Sequence, residues 1–232
     1  MSSMSENKTS TDKRNWERFW AGRSNKANPL FVNLLSFVND LTMVRQSVAL
    51  AKKYSRKGTV IQAGSGEARN SLALSRERGD RVIALDFSPQ ALRLAGKKAL
   101  QYQLPIWLLE GDMGRLPFND QSIELVWNEG VMEHIVDPLP FLRDMKRVGK
   151  TVICIVPAQG WGWKLVKGIK KFLKADEGIN EAYYKYHDRE SMSELFEKAG
   201  FDHYEVKKIV IFGFINHVAG IGITDSKAGR AD

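Results

Sequence analysis

Residues 59–89 read TVIQAGSGEARNSLALSRERGDRVIALDFSP, and the order of elements in them sets the fold class. TVIQAG (59–64) is a short apolar run closed by glycine, the form of a strand buried on both faces. Gly64-Ser65-Gly66 follows. Glycine there lets the chain turn tightly and lets a ligand approach the main chain. A helical stretch runs from Glu67 to about Arg78 and is stopped by Gly79. RVIALDF (81–87) is a second buried strand. Ser88 stands where a helix wants its N-cap, and Pro89 at the first helical position. Strand, glycine turn, helix and strand in this order make a βαβ unit.

The same alternation continues outward. PIWLLEGD (105–112) and SIELVWNEG (122–130) read as strands, Asp137-Pro138 opens a helix ending near Gly149, and TVICIVP (151–157) is a fifth strand. Ser191–Ala199 is helical and closed by Gly200. His203–Phe214 alternates toward a last strand or hairpin. The glycine-rich stretch INHVAGIGITDSKAGRAD (215–232) leaves two readings open, a strand pair at the sheet edge or loose packing. Strands alternating with helices predict an α/β domain with a mostly parallel sheet covered on both faces. Upstream, residues 1–13 have the composition of a disordered tail. Residues 14–57 read as a helical cap, with apolar residues from Leu30 to Val48 near the 3.6 period. The main domain then spans 58–232, and 158–187 interrupts it as a lid-like insertion.

Composition narrows the classes. The chain has 232 residues, 43% hydrophobic and 27% charged, enough for one large domain with its own core. Cys154 is the one cysteine, which excludes a disulfide scaffold and a zinc site of several thiolates. The four histidines have no HxxxH or HxH spacing, so no metal is expected. No apolar run approaches the roughly 20 residues of a membrane span. The polar start MSSMSENKTSTDKRN is unlike a secretory signal, so a cytoplasmic protein is expected. The formal charge of +8 is uneven: +7 over 1–58, zero over 59–157, +3 over 158–187 and −2 over 188–232. Basic flanks suit phospholipid head groups, nucleic acid or an acidic small molecule, or are simply a solvated surface.

The ligand follows from the turn after the first strand. A dinucleotide site needs GxGxxG, but here Glu67-Ala68-Arg69 follows Gly66. Glu67 would also repel a pyrophosphate at the helix N-terminus. A cationic or zwitterionic nucleoside fits better. Asp86 ends the second strand 20 residues after Gly66, where a carboxylate can accept both ribose hydroxyls.

Three stretches in this order, VIQAGSGEARNSLAL (60–74), VIALDFSPQAL (82–92) and EGDMGRLPFNDQSIELVWNEGVMEHI (110–135), resemble the class I S-adenosylmethionine-dependent methyltransferases. The closer resemblance is to the ubiquinone/menaquinone-type and small-molecule branch. It covers about residues 58–157, with Arg189–Gly200 as a further hallmark. It implies a Rossmann-like, seven-stranded sheet and S-adenosyl-L-methionine as cofactor, with S-adenosyl-L-homocysteine as product. It implies that Gln62, Ala63, Gly64 and Gly66 run beneath the methionine part. Asp86 would hold the ribose, with Phe87 beside the adenine. Asp112 and Met113 would line the adenine, while Asn128, Glu129 and Gly130 face the methionine end and the acceptor. Gln62 stands where the pattern has an acidic residue, and Ala68 where it has a third glycine.

Methyl transfer needs the acceptor aligned with the methyl group and, for some acceptors, a base. His134, in VMEH (131–134), is the candidate base, with a structural histidine as the alternative. Glu129 is the candidate to steer or orient the acceptor, with a solvated loop carboxylate as the alternative. Trp20, beside Trp16 and Phe19, is expected to close over the cofactor or to staple its helix to the domain. Trp161, Tyr183, Tyr184, Tyr186 and His187 are the candidate acceptor contacts, or lid packing. At 100° per residue, Trp161, Leu165, Val166, Ile169, Phe172 and Leu173 fall within an arc of roughly 140°, with Lys164, Lys167, Lys170, Lys171 and Lys174 opposite. That pattern over 161–174 suits either a lid helix or contact with an anionic membrane surface. The expected acceptor is a small molecule, lipid-like or amphipathic. Nucleic acid is disfavoured, and an RNA-modifying enzyme or a non-catalytic cofactor-binding relative are the alternatives.

Overall fold

The computed structural model describes residues 16–17, 19–21, 30–158, 160, 162, 164–165, 168, 185–211 and 215–224, with the side chains of 30–40 and 215 left aside. The elements run α1 (Leu30–Tyr54), β1 (Thr59–Ala63), α2 (Arg69–Arg78), β2 (Arg81–Asp86), α3 (Pro89–Tyr102), β3 (Ile106–Glu110) and β4 (Ile123–Glu129). A 3-10 turn (Met132–His134), α4 (Leu139–Val148), β5 (Gly149–Pro157), α5 (Arg189–Lys198), β6 (His203–Ile211) and β7 (Ile215–Ile223) complete them. Residues 16–17 and 19–21 are helical as well.

Local chemistry sets the boundaries. Gly79, left-handed at φ 63°, ends α2, and its amide donates to the Ser75 carbonyl. Ser88 Oγ accepts the Ala91 amide at 3.2 Å and Pro89 follows as the first helical residue, as the sequence predicts. The seven strands form one sheet in the order β3-β2-β1-β4-β5-β7-β6. The pairs β1–β2, β2–β3, β1–β4 and β4–β5 are parallel. β7 is antiparallel to both β5 and β6. Strand order therefore reverses at β1 and β4, and the crevice beyond their carboxyl ends is where an open α/β sheet binds ligands.

The first part of the glycine-rich stretch, Ile215–Ile223, forms β7 of the strand pair at the sheet edge, and residues 225–232 lie outside the described residues. A Cβ on Gly220 would lie 2.2 Å from Phe196 Cε2, and one on Gly222 2.3 Å from Phe201 Cδ1. These glycines let two aromatic rings lie directly on the sheet. The core has two layers. On one face Met132, Leu142, Met145 and Phe196 pack on Val126, Val152 and Cys154. On the other, Val48 and Ala51 of α1 and Leu74 of α2 pack on Leu125, Trp127 and Ile153. Within the stretch expected as a helical cap over 14–57, α1 thus joins α2 in covering one face of the sheet. Thr151 Oγ1 donates to the Tyr54 carbonyl at 3.1 Å and ties the end of α1 to β5.

Candidate functional site

The turn after β1 is built for close approach. Gly64 and Gly66 have φ of +72° and +52°. The amides of Gly64 and Ser65 both donate to the Leu85 carbonyl at 2.9 Å, which pins the turn over the end of β2. Ala68, where a third glycine was expected, also takes the left-handed conformation at φ 60°. Gln62 is buried, and its Oε1 accepts the Ser71 amide at 3.0 Å and the Ser71 hydroxyl at 2.6 Å. Its oxygen thus holds the first turn of α2. A carboxamide oxygen suffices because both partners donate.

Asp86 is buried at the end of β2. Its Oδ2 accepts the Gly66 amide at 2.8 Å and its Oδ1 the Ser88 amide at 2.9 Å. Burial raises its pKa, and those two amides oppose the rise. The Glu17 charge adds to it. Trp20 packs on Gly66: a Cβ there would lie 2.7 Å from Trp20 Cη2. Trp16 stacks edge-on against His134, with ring centroids 5.4 Å apart.

These residues surround one cavity of about 970 Å³. At one end lie Gly64, Ser65, Gly66, Asp86 and Phe87. Asp112 and Met113 lie beside them. Asp112 is exposed and its Oδ1 accepts the Gly114 amide at 2.8 Å. At the other end lie Met43 and Val44 of α1, Ile155 and Pro157 of β5, His134 and His217. Glu129 lines the stretch between them. Its Oε2 accepts the Ser47 hydroxyl and the Asn70 amide, each at 2.8 Å. It is therefore a held, part-buried carboxylate and not a solvated loop residue.

Four expected contacts lie elsewhere. Ala63 is fully buried in the core and does not line the cavity; its carbonyl accepts from Asn128 Nδ2 at 2.8 Å. Asn128 is fully buried for the same reason: it stitches β4 to the end of β1 on the face opposite Glu129. His187 is 2% exposed and forms a backbone bridge with Ala158. Tyr186 is half-buried, and neither residue lines the cavity. The chain returning at 185 is anchored there by Lys185 N, which donates to the Glu133 carbonyl at 2.9 Å. Trp161, Tyr183 and Tyr184 lie outside the described residues, as does most of 161–174. Ser47, Asn70, Met43 and His217 carry no local motif, and sequence reading passed over them. Ser65 Oγ and Asn70 Oδ1 are buried on the cavity wall without a hydrogen-bond partner.

A cofactor with a ribose diol and an amino-acid end fits this set. Asp86 is held by backbone amides, and a carboxylate with about four lone-pair sites can still accept from hydroxyls. The orphaned oxygens of Ser65 and Asn70, with Glu129, suit an ammonium group, and the left-handed glycines bring bare backbone to the wall. Among the described residues, no three His, Cys, Asp or Glu side chains group as a metal site would require. No described helix is long and apolar enough to cross a membrane.

Comparison with known proteins agrees. The methyltransferase-domain family profile matches residues 61–152. A demethylmenaquinone methyltransferase of Clavibacter sepedonicus is 30% identical over 72% of this chain and 75% of its own. One of Staphylococcus haemolyticus (strain JCSC1435) is 28% identical over 73% and 80%. In structure, the putative methyltransferase of Haloferax volcanii, solved with a methyltransferase activator, superposes with a TM-score of 0.66 at 19% identity, covering 92% of this chain and 97% of its own. The chain belongs to the class I S-adenosylmethionine-dependent methyltransferases, in their ubiquinone/menaquinone-type branch, and is an enzyme whose methyl donor is S-adenosyl-L-methionine.

Proposed function

We propose that the enzyme methylates an amphipathic aromatic small molecule bearing a ring hydroxyl, of the hydroquinone class. The observation that carries this reading is the second end of the cavity. Beyond Glu129 it is walled by Met43, Val44, Ile155 and Pro157, an apolar lobe continuous with the cofactor end. A flat apolar ring is desolvated there, while its hydroxyl finds the His134 imidazole on the cavity wall. The names of the two relatives, both demethylmenaquinone methyltransferases, support the same class.

In this reading Asp86 holds the ribose diol. Phe87 and Met113 flank the adenine and Asp112 meets its amine. Asn70 and Glu129 hold the amino-acid end over Gly64 and Gly66. When bound, S-adenosylmethionine supplies a methyl group already activated on a sulfonium. The enzyme's part is alignment and dryness: Trp20 covers the glycine turn, and Val44, Ile155 and Pro157 press the acceptor into line. His134, on the 3-10 turn, takes the hydroxyl proton as the ring carbon that receives the methyl group becomes nucleophilic. That carbon then loses its own proton and the oxygen regains one, which restores the aromatic hydroquinone, with S-adenosyl-L-homocysteine as the leaving product.

The Lys-faced segment 161–174 belongs to this proposal as the element that meets an anionic membrane, from which an amphipathic acceptor would enter past the 158–187 insertion. The enzyme would then be cytoplasmic and peripheral at the bilayer. Calorimetric titration with S-adenosyl-L-homocysteine, on wild type and Asp86→Ala, tests the site. Binding is expected in the first and lost in the second, and equal binding refutes the ribose contact. Transfer of labelled methyl to a reduced 2-prenyl-1,4-naphthoquinone tests the acceptor class, and absence of transfer refutes it. Liposome association of the full chain should fall when Lys167, Lys170 and Lys171 become Glu.

A further inference from the structure

His217 sits in this enzyme's acceptor lobe, although no local motif marks it. β7 runs antiparallel to β5, and the register sets His217 opposite Pro157, the last residue of β5. Reversal of the last strand therefore carries the beginning of β7 to the carboxyl ends of the parallel strands, where the ligand crevice lies. His217 is two residues from Ala219, so it faces the α1 side of the sheet. Met43 and Val44 line the cavity on that side, with Glu129 and Ile155 from β4 and β5. It is 6% exposed and lines the cavity, so a buried polar ring stands beside the apolar Met43, Val44, Ile155 and Pro157.

We infer that His217 is an acceptor-binding residue, whose imidazole hydrogen-bonds the ring oxygen of the bound hydroquinone and sets its orientation toward the methyl donor. This rests on the acceptor class proposed above. Burial also pushes the imidazole pKa down to about 4, so the ring stays neutral and keeps both a donor and an acceptor nitrogen. A ring so reluctant to take a proton is suited to holding the hydroxyl, and the proton itself is left to His134. The two histidines come from elements far apart in sequence and line the same cavity.

The test compares wild type with His217→Phe and His217→Asn. Kinetics are read with reduced 2-prenyl-1,4-naphthoquinone, and S-adenosyl-L-homocysteine affinity is read by calorimetry. H217F should lower kcat/KM for the hydroquinone at least tenfold, mostly through KM, with S-adenosyl-L-homocysteine affinity within threefold of wild type. H217N, which keeps a hydrogen-bonding amide, should recover most of the loss. If H217F also loses product binding, the comparison is made between H217N and H217A. Unchanged kinetics in H217F, or equal losses in the Phe and Asn variants, overturn the role of His217 and leave the acceptor class standing. No transfer by wild type overturns the acceptor class, and this assignment with it.

Discussion

A Cβ placed on Gly66 would lie 2.7 Å from Cη2 of Trp20, so the indole rests directly on the backbone of the glycine turn. Two constraints meet at Gly66. Its φ of +52° is unfavourable for a side chain, and its amide is the donor to Asp86. Gly66→Ala should displace Trp20 and loosen that hydrogen bond. The expected loss is about tenfold or more in cofactor affinity, or ~1.4 kcal/mol. Trp20→Ala removes the cover but leaves the turn, and its loss should be smaller. Calorimetry on both variants reads this, and a Gly66→Ala affinity equal to wild type would count against the turn as the cofactor's floor.

Glu129 joins three elements through one oxygen, since Ser47 comes from α1 and Asn70 from α2. Glu129→Ala leaves both donors without their acceptor and removes the carboxylate from the cavity wall. Product affinity should fall tenfold or more. Ser47→Ala removes a single hydrogen bond to a charged group and should lower unfolding free energy by ~1–2 kcal/mol with affinity within threefold. Urea unfolding and calorimetry separate the two roles.

Glu133 lies beside the catalytic candidates but is buried, with Oε2 unpartnered. Burial, with the Glu129 charge adding to it, pushes its carboxyl from 4.5 up to about 8. Below pH 4.5 both folded and unfolded chains bind its proton. Between pH 4.5 and 8 the unfolded chain releases it while the folded chain keeps it, so this group makes stability fall as pH rises. Glu133→Gln removes that slope. Thermal melts should agree near pH 5 and diverge in favour of the variant toward pH 8, and parallel curves would contradict the assignment. His217 acts in the opposite sense, since its lowered pKa makes stability fall as pH drops from 6.5 toward 4.

Gly220→Ala tests the packing of β7. The added methyl would meet Phe196, which is fully buried between sheet and α5. The ring has nowhere to withdraw, so a loss of about 1–3 kcal/mol is expected in urea unfolding. An unchanged midpoint would mean that the α5 layer is looser than its burial suggests.

What the amino-acid sequence determined by itself was local. Buried strands are written as apolar runs, turns as glycines, and the α3 start as Ser88-Pro89, because each depends on neighbours along the chain. The glycine turn and Asp86 were legible for the same reason, since a βαβ unit brings residues 20 apart together by its own geometry. Ala63 and Asn128 sit in the right stretches but point away from the cavity. Alternation along a strand decides which neighbour faces the ligand, and the sequence pattern of a strand buried on both faces does not tell the two apart. The apolar lobe proposed for the acceptor belonged to the tertiary structure alone. Met43 and Val44 reach it because α1 packs across the sheet, and His217 because β7 runs backward beside β5. Those placements depend on long-range packing and on strand direction, and neither leaves a mark in the residues that flank each position.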